Sequence, residues 1–358
     1  MVKLVCAVCL LAAGPALAEE AAPRALRLIG AAPSAAQGAP ARFAIDAAMT
    51  EGDGPLQMKV EGWFAQLEPS SETPAVQGPV EGACIEDRCA LTADLGDRKL
   101  VLSGDLGRPA GSTGRFVLRD YDETTLSEGA ATFTPFKDNV PGLGPLTPAE
   151  AFTGQDLAEW LIWAGHPTGY SNIDPDPPGE YERKAFAGWQ GAAGRPVTGL
   201  FTASDIETLK ADAAAAKAAV GWVAFNTPQS GWKAGYPEKR LVSLSAASVP
   251  SERRYLSPDS KAELVTRLDP PMSGEAWDAF VKAQTDESQG RETHGYMRVN
   301  DDFELDYTEK GRAVAAYYFN GEKGLRRMEF SYPEQDKATW ASLADILQYA
   351  FRAGAAER

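Results

Sequence analysis

The stretch VPGLGPLTPAEAFTGQDLAEWLIWAG, residues 140–165, is where the pattern of this chain changes. Val140 to Pro148 is rich in Pro and Gly and reads as a linker or domain boundary. Thr153, with Asp156 three residues on, has the form of a helix capping box. Leu157, Trp160, Leu161 and Ala164 follow at helical spacing, and Gly165 is placed to stop the helix. Strand-like sequence lies before this stretch and helical sequence after it.

Upstream, residues 24–136 read as strands. Leu56, Met58 and Val60 alternate with Gln57, Lys59 and Glu61, a period of two. Shorter runs follow at Lys99 to Leu102, Arg115 to Arg119 and Ala131 to Phe136, punctuated by Gly, Pro, Asn and Asp. The expectation is an N-terminal antiparallel β sandwich or barrel over 19–139.

Downstream of the linker, 140–152, a second helix fits Glu180 to Gln190, and a third opens with Thr202 and Asp205 and runs into an Ala-rich stretch ending near Val220. The segment 153–217 therefore reads as a small three-helix domain. From Gly221 the period returns to two, in runs that include Glu263 to Thr266, Glu292 to Arg298, Phe303 to Tyr307 and Arg312 to Phe319. Asn320-Gly321 is a turn signal before the strand Leu325 to Tyr332. Helices fit Glu275 to Ala283 and Lys337 to Phe351, the latter with Trp340, Leu343, Ile346, Leu347 and Phe351 on one face. Strands in a row with two helices predict a C-terminal α+β sandwich over 218–358. The whole chain is thus expected to be multi-domain.

The first 18 residues read as a secretory signal peptide. Lys3 supplies the positive start, Leu4 to Ala13 an apolar run, and Ala16-Leu17-Ala18 a small-x-small cleavage pattern. Export to a periplasm follows, with cleavage after Ala18 and no membrane insertion of the processed chain. The net charge of −15 over 358 residues becomes more negative once Lys3 is removed, which excludes nucleic acid and anionic lipid surfaces as natural partners. Of the four cysteines, Cys6 and Cys9 lie in the leader. Cys84 and Cys89 remain, and an even pair in an exported chain reads as a disulfide. No metal site or cofactor motif stands out in the sequence.

The helical middle resembles the small peptidoglycan-binding domain appended to many bacterial wall enzymes. LAEWLIWAGHP corresponds to that family's first helix, ERKAFAGWQ to its second, and GRPVTGLFTASDIETL to its closing segment. Thr198 stands where the family has Asp before a Gly, and Thr202-Ala203-Ser204-Asp205 replaces its Gly-Pro-x-Thr turn. The loop TGYSNIDPDPPGEY, residues 168–181, replaces a tight turn that borders the family's groove. The resemblance implies association with peptidoglycan. Sugar faces pack on aromatic rings, and amides need fixed donors and acceptors. Trp163, Tyr170, Trp189 and Gln190 are the residues of this segment suited to both, although Trp160 and Trp189 also have the spacing of core residues. The segment from Gly221 to Phe351 resembles exported PsbP-like α/β/α proteins, through GWVAFNTPQSGWKAGYP and a closing Tyr-Pro followed by a long helix.

No catalytic motif emerges. The two histidines, His166 and His294, have no nucleophile motif around them. Ser230 and Lys233 spell S-x-x-K without its companion motifs. Asp174 with Asp176 could bind a weak Ca²⁺ ion or serve a glycosidase, and Asp302, Glu304 and Asp306 share one strand face. A solvated loop and a solvated acidic strand face are the plainer readings of these two groups. The sequence therefore predicts a non-catalytic protein that associates with peptidoglycan. The rivals are an interaction scaffold for a protein partner and a wall hydrolase whose site forms across domains.

Overall fold

The computed structural model describes residues 24–32, 42–54, 56–67, 76–106, 111–168, 178–225, 234–244, 251–287 and 290–356. The leader, Tyr170, Asp174, Asp176, Ser230 and Lys233 lie outside the described residues. The chain divides into two compact units. The first comprises Met1–Ala39, Ile45–Phe64 and Pro79–Pro135, and the second Pro40–Ala44, Ala65–Gly78 and Phe136–Arg358.

The N-terminal strands are β1 (Arg24–Ala31), β2 (Arg42–Glu51), β3 (Gln57–Gln66), β4 (Gln77–Ile85), β5 (Arg88–Asp94), β6 (Arg98–Gly104), β7 (Ser112–Asp120) and β8 (Thr125–Pro135). They form a closed barrel in sequence order, with β8 pairing back onto β1 through Leu28↔Pro135 and Ala31↔Thr132. A barrel is therefore the outcome of the sandwich-or-barrel expectation, and closure leaves no strand edge unpaired. Alternation puts Leu91, Leu102, Phe116, Leu118 and Phe133 inside. Cys84 and Cys89 face each other across the β4–β5 hairpin and are disulfide-bonded. Gly82 is required on this hairpin, because a Cβ there would sit 2.1 Å from the Ala90 carbonyl oxygen.

The second unit begins with two short paired strands, β9 (Asn139–Val140) and β10 (Gly144–Pro145). Val140 is fully buried, and Leu146 bridges to Thr202. The Pro- and Gly-rich stretch that reads as a linker is thus packed structure. Helices α1 (Gly154–Trp163), α2 (Glu180–Ala192) and α3 (Ala203–Val220) follow. Their starts obey the local chemistry. Thr153 Oγ1 accepts from Asp156 N at 3.0 Å while Asp156 Oδ2 accepts from Thr153 N at 2.9 Å, the expected capping box. Thr202 Oγ1 accepts from Asp205 N at 3.1 Å. Leu157, Leu161, Phe186, Trp189, Phe201, Ile206 and Leu209 close the helical core.

Strands β11 (Trp222–Ala224) and β12 (Gly235–Pro237) pair with each other. Then come β13 (Val242–Ser243), β14 (Glu252–Leu256), β15 (Glu263–Asp269), α4 (Gly274–Gln284), β16 (Arg291–Val299), β17 (Asp302–Glu309), β18 (Arg312–Gly321), β19 (Gly324–Pro333) and α5 (Lys337–Ala356). The seven-stranded sheet runs β13-β14-β15-β19-β18-β17-β16. One face packs α5, with Leu264, Tyr317, Met328 and Phe330 against Trp340, Leu343 and Leu347. The other packs α4, with Phe303, Leu305 and Tyr318 against Trp277 and Val281.

Two sequence expectations shift in this unit. The turn between β18 and β19 has Glu322 and Lys323 at its tip, because Gly321 pairs with Gly324. Asn320 is occupied elsewhere: its Oδ1 accepts from Met272 N at 2.9 Å and its Nδ2 donates to Met272 O at 3.0 Å. The expected boundary at 217/218 lies inside the second unit, near the left-handed C-cap Gly221 that ends α3. Ala158, Ile162, Trp163 and Ala213 of the helices share a core with Ile346 and Tyr349 of α5. Among the described residues no helix is long and apolar enough to cross a membrane.

Candidate functional site

On α1, Gln155, Glu159 and Trp163 are spaced four apart and so form one stripe. The stripe faces α5 across a cleft of about 390 Å³, floored by Trp222, Ala224 and Phe225. Tyr349, Ala350, Ala353 and Gly354 line the α5 side. Three of these four residues are Ala or Gly, and that absence of bulk is what leaves the space open. The Tyr349 hydroxyl donates to Gln155 O at 2.8 Å, tying the two walls together. Trp163 meets Trp222 edge-to-face with centroids 5.0 Å apart. Lys217 on α3 pairs with Glu159 and lies 5.5 Å from the Trp163 ring centroid. An aromatic wall with an amide and a carboxylate at its rim, of this volume, has the form of a small-ligand cleft.

Among the described residues, Trp163 is the one sequence-predicted site residue that lines this cleft. Trp189 is 3% exposed, stacks on Phe186 and donates its indole N–H to Asp212 at 3.3 Å. Gln190 is 0% exposed and its amide is consumed inside the fold. Its Oε1 accepts from Thr198 N at 2.9 Å and Gly199 N at 2.8 Å, while its Nε2 donates to Asp205 Oδ2 at 2.9 Å. Thr198 is part of this same network, through its N–H, which donates to Gln190 Oε1, and its hydroxyl, which accepts from Gln190 Nε2. The structure therefore separates Trp163 from Trp189 and Gln190. Trp222, Phe225, Tyr349, Gln155 and Glu159 were not predicted as site residues. The spacing of Gln155, Glu159 and Trp163 was the available signal, whereas Tyr349 joins only because α5 docks on α1.

The carboxylates of β17 also have a different setting from the solvated strand face expected. Asp302, Glu304 and Asp306 do share a face, but it is the face covered by α5. Glu304 pairs with Arg352 at 3.1 Å, and Asp306 Oδ1 accepts from Gln348 Nε2 at 2.9 Å. His294, at the register shift in β16, bonds Thr308 Oγ1 at 2.7 Å. Burial pushes the Asp306 carboxyl above the usual range, and Gln348, His294 and Lys337 pull against it. Burial likewise pushes Glu304 up, with Arg352 opposing it and Asp306 and Asp302 adding to it. Burial pushes Asp345 on α5 up as well, with the Asp306 charge adding to it and Lys337 opposing it.

The folded chain thus binds these protons more tightly than the unfolded one. Stability is expected to rise as pH falls from above the raised values toward the ordinary carboxylate range, and to level off below it. Asp306→Asn keeps an acceptor for Gln348. It should raise stability at neutral pH and flatten that slope. Melting temperatures measured against pH for both proteins test this, and parallel curves would refute it.

No family model and no curated protein matches the sequence. Among solved structures the chain is similar to cyanobacterial PsbP from Synechocystis sp. PCC 6803, with 17% identity and a TM-score of 0.29 over 36% of this chain and 90% of that one. This is a partial likeness.

Proposed function

We propose that this is an exported, non-catalytic binding protein that associates with peptidoglycan in the periplasm, making its contact at the cleft between α1 and α5. The observation that carries the reading is the joining of Trp163, Trp222 and Tyr349 to Gln155 and Glu159 in one cleft. Trp222 and Phe225, the partly exposed rings, offer a surface for sugar faces, and the rim groups offer partners for amides and hydroxyls. The helical unit therefore acts together with α5, and not as a self-contained module.

Co-sedimentation with purified sacculi tests it, using the mature chain and a Gln155→Ala/Glu159→Ala variant that leaves the aromatic core in place. Wild type should sediment, and the variant should bind about tenfold more weakly or worse, the loss expected for two rim hydrogen bonds. Equal sedimentation of the two would remove the cleft from the reading.

The scaffold reading is favoured by the internal use of Gln190, since a helical unit whose amide donors and acceptors are satisfied within the fold can serve purely as packing. Wild type that fails to sediment at both low and moderate salt would remove the peptidoglycan reading and turn the search to protein partners.

A further inference from the structure

The face of the large sheet opposite α5 is only partly covered by α4. What remains is a hollow of about 440 Å³ spread over β14, β15, β19, β18 and β17. Strand parity builds it. Met328, Phe330 and Tyr332 point into the α5 core, so Arg327, Glu329 and Ser331 point the other way. The register Glu263↔Ser331, Ser331↔Val314 and Val314↔Tyr307 carries one row straight across the sheet. The floor is small and neutral, made by Val265, Val314 and Ser331. Arg254, Arg267, Arg312 and Arg327 stand around it, interleaved with glutamates.

These cations are not equivalent. Arg254 is held by Glu252 at 2.6 Å and Glu263 at 2.9 Å. Arg267 and Arg327 share the single carboxylate of Asp269, at 2.6 Å and 2.7 Å. Arg312 donates only to neutral acceptors: Lys261 O at 2.9 Å, Ser331 O at 3.0 Å and Ser331 Oγ at 2.9 Å. Among the described residues no carboxylate is within ion-pair distance of it. Next to it Lys310 is 87% exposed, with Glu309 at 3.5 Å. Of the four arginines in the lining, Arg312 is thus the one whose charge no carboxylate among the described residues meets at ion-pair distance.

We propose that this hollow binds a short extended peptide bearing free carboxylates, with a carboxylate seated on Arg312. Five strands at a spacing of about 4.8 Å span about 19 Å, the reach of five or six extended residues. The guanidinium takes a carboxylate in a two-pronged bond. The interleaved glutamates accept peptide N–H or ammonium groups, and they repel a polyanion such as a nucleic acid or a polyphosphate. This site is separate from the α1–α5 cleft and does not depend on it.

The test is calorimetric titration at low ionic strength with the probe acetyl-Ala-Glu-Ala-Lys-Ala as the free acid, against the same peptide with Glu replaced by Gln and the C-terminus amidated. Hydrogen exchange on the complex locates the contact. The free acid should bind and protect β14, β15, β18 and β19. Binding should weaken about tenfold or more for the uncharged probe and for Arg312→Gln, the loss of one charge-assisted bond. Arg312→Lys should recover part of it, and the Gln155→Ala/Glu159→Ala variant should bind like wild type. Should Arg312→Gln fail to fold, the comparison of the two probes still decides. The proposal is overturned if the free acid does not bind, if both probes bind equally, if a folded Arg312→Gln protein binds like wild type, or if protection falls elsewhere. None of these outcomes bears on sacculus binding, so the two readings fail separately.

Discussion

Replacing Gln190 by alanine is expected to destabilise the second unit by about 3–5 kcal/mol, from stranded donors and acceptors costing about 1–3 kcal/mol each. The side chain is fully buried, so water does not fill in for it. Its Oε1 is the shared acceptor for the adjacent N–H groups of Thr198 and Gly199. These lie where the chain turns with Gly199 at φ 66°, so the side chain also fixes that turn. Its Nε2 holds Asp205, which Arg195 neutralises and whose backbone N–H is capped by Thr202. Removing the amide therefore strands two backbone donors and loosens the start of α3. A loss of that size should lower the melting temperature by roughly 6–20 °C. Gln190→Glu should not rescue it, since a carboxylate keeps the acceptor but meets Asp205 with like charge. Thermal unfolding followed by circular dichroism measures this. A melting temperature within a degree of wild type would show that the amide network contributes nothing. Any loss of ligand binding in such a variant has to be judged against its folded fraction.

The second large effect is at the other end of the same unit. Glu304→Ala is expected to cost about 3–5 kcal/mol, because it leaves the Arg352 guanidinium without its carboxylate in a nearly dry site. The two side chains are 9% and 12% exposed, and α5 brings them together across the sheet. The raised proton affinity of Glu304 says that burial already strains the charged form. Replacing both partners by apolar residues, Glu304→Leu with Arg352→Met, should therefore recover most of the loss. Chemical denaturation of the wild type, Glu304→Leu, Arg352→Met and the double variant closes the cycle. A double variant as unstable as the sum of the singles would exclude a direct pairing. Because Tyr349 on α5 bonds Gln155 of α1 at 2.8 Å, loss of α5 order should also open the aromatic cleft.

Both sites illustrate what short-range pattern does and does not contain. Sequence by itself determined the helix starts at Thr153 and Thr202, since a cap is a contact over three residues. It determined the strand periods, the Cys84–Cys89 bond across a tight hairpin, and the order of strands, helices and sheet. These are local rules of spacing and propensity. It also showed that Asp302, Glu304 and Asp306 share a face. Which face a helix covers is a long-range matter, and α5 covers that one, so an acidic strand face became a buried ion-pair site. In the same way, Gln190 has the residue type of a ligand contact, and only the fold of residues 198–205 back over α2 turned its amide inward. The barrel was left undecided against a sandwich because closure depends on β8 reaching β1, far away in the chain. The cleft at Trp163 exists because α5, almost two hundred residues downstream, docks on α1. The hollow at Arg312 exists because α4 packs over Phe303, Leu305 and Tyr318 and leaves the part of that face around Val265, Val314 and Ser331 open. Spacing along the chain fixes direction, and tertiary packing decides whether that direction meets water, a partner side chain or a cleft.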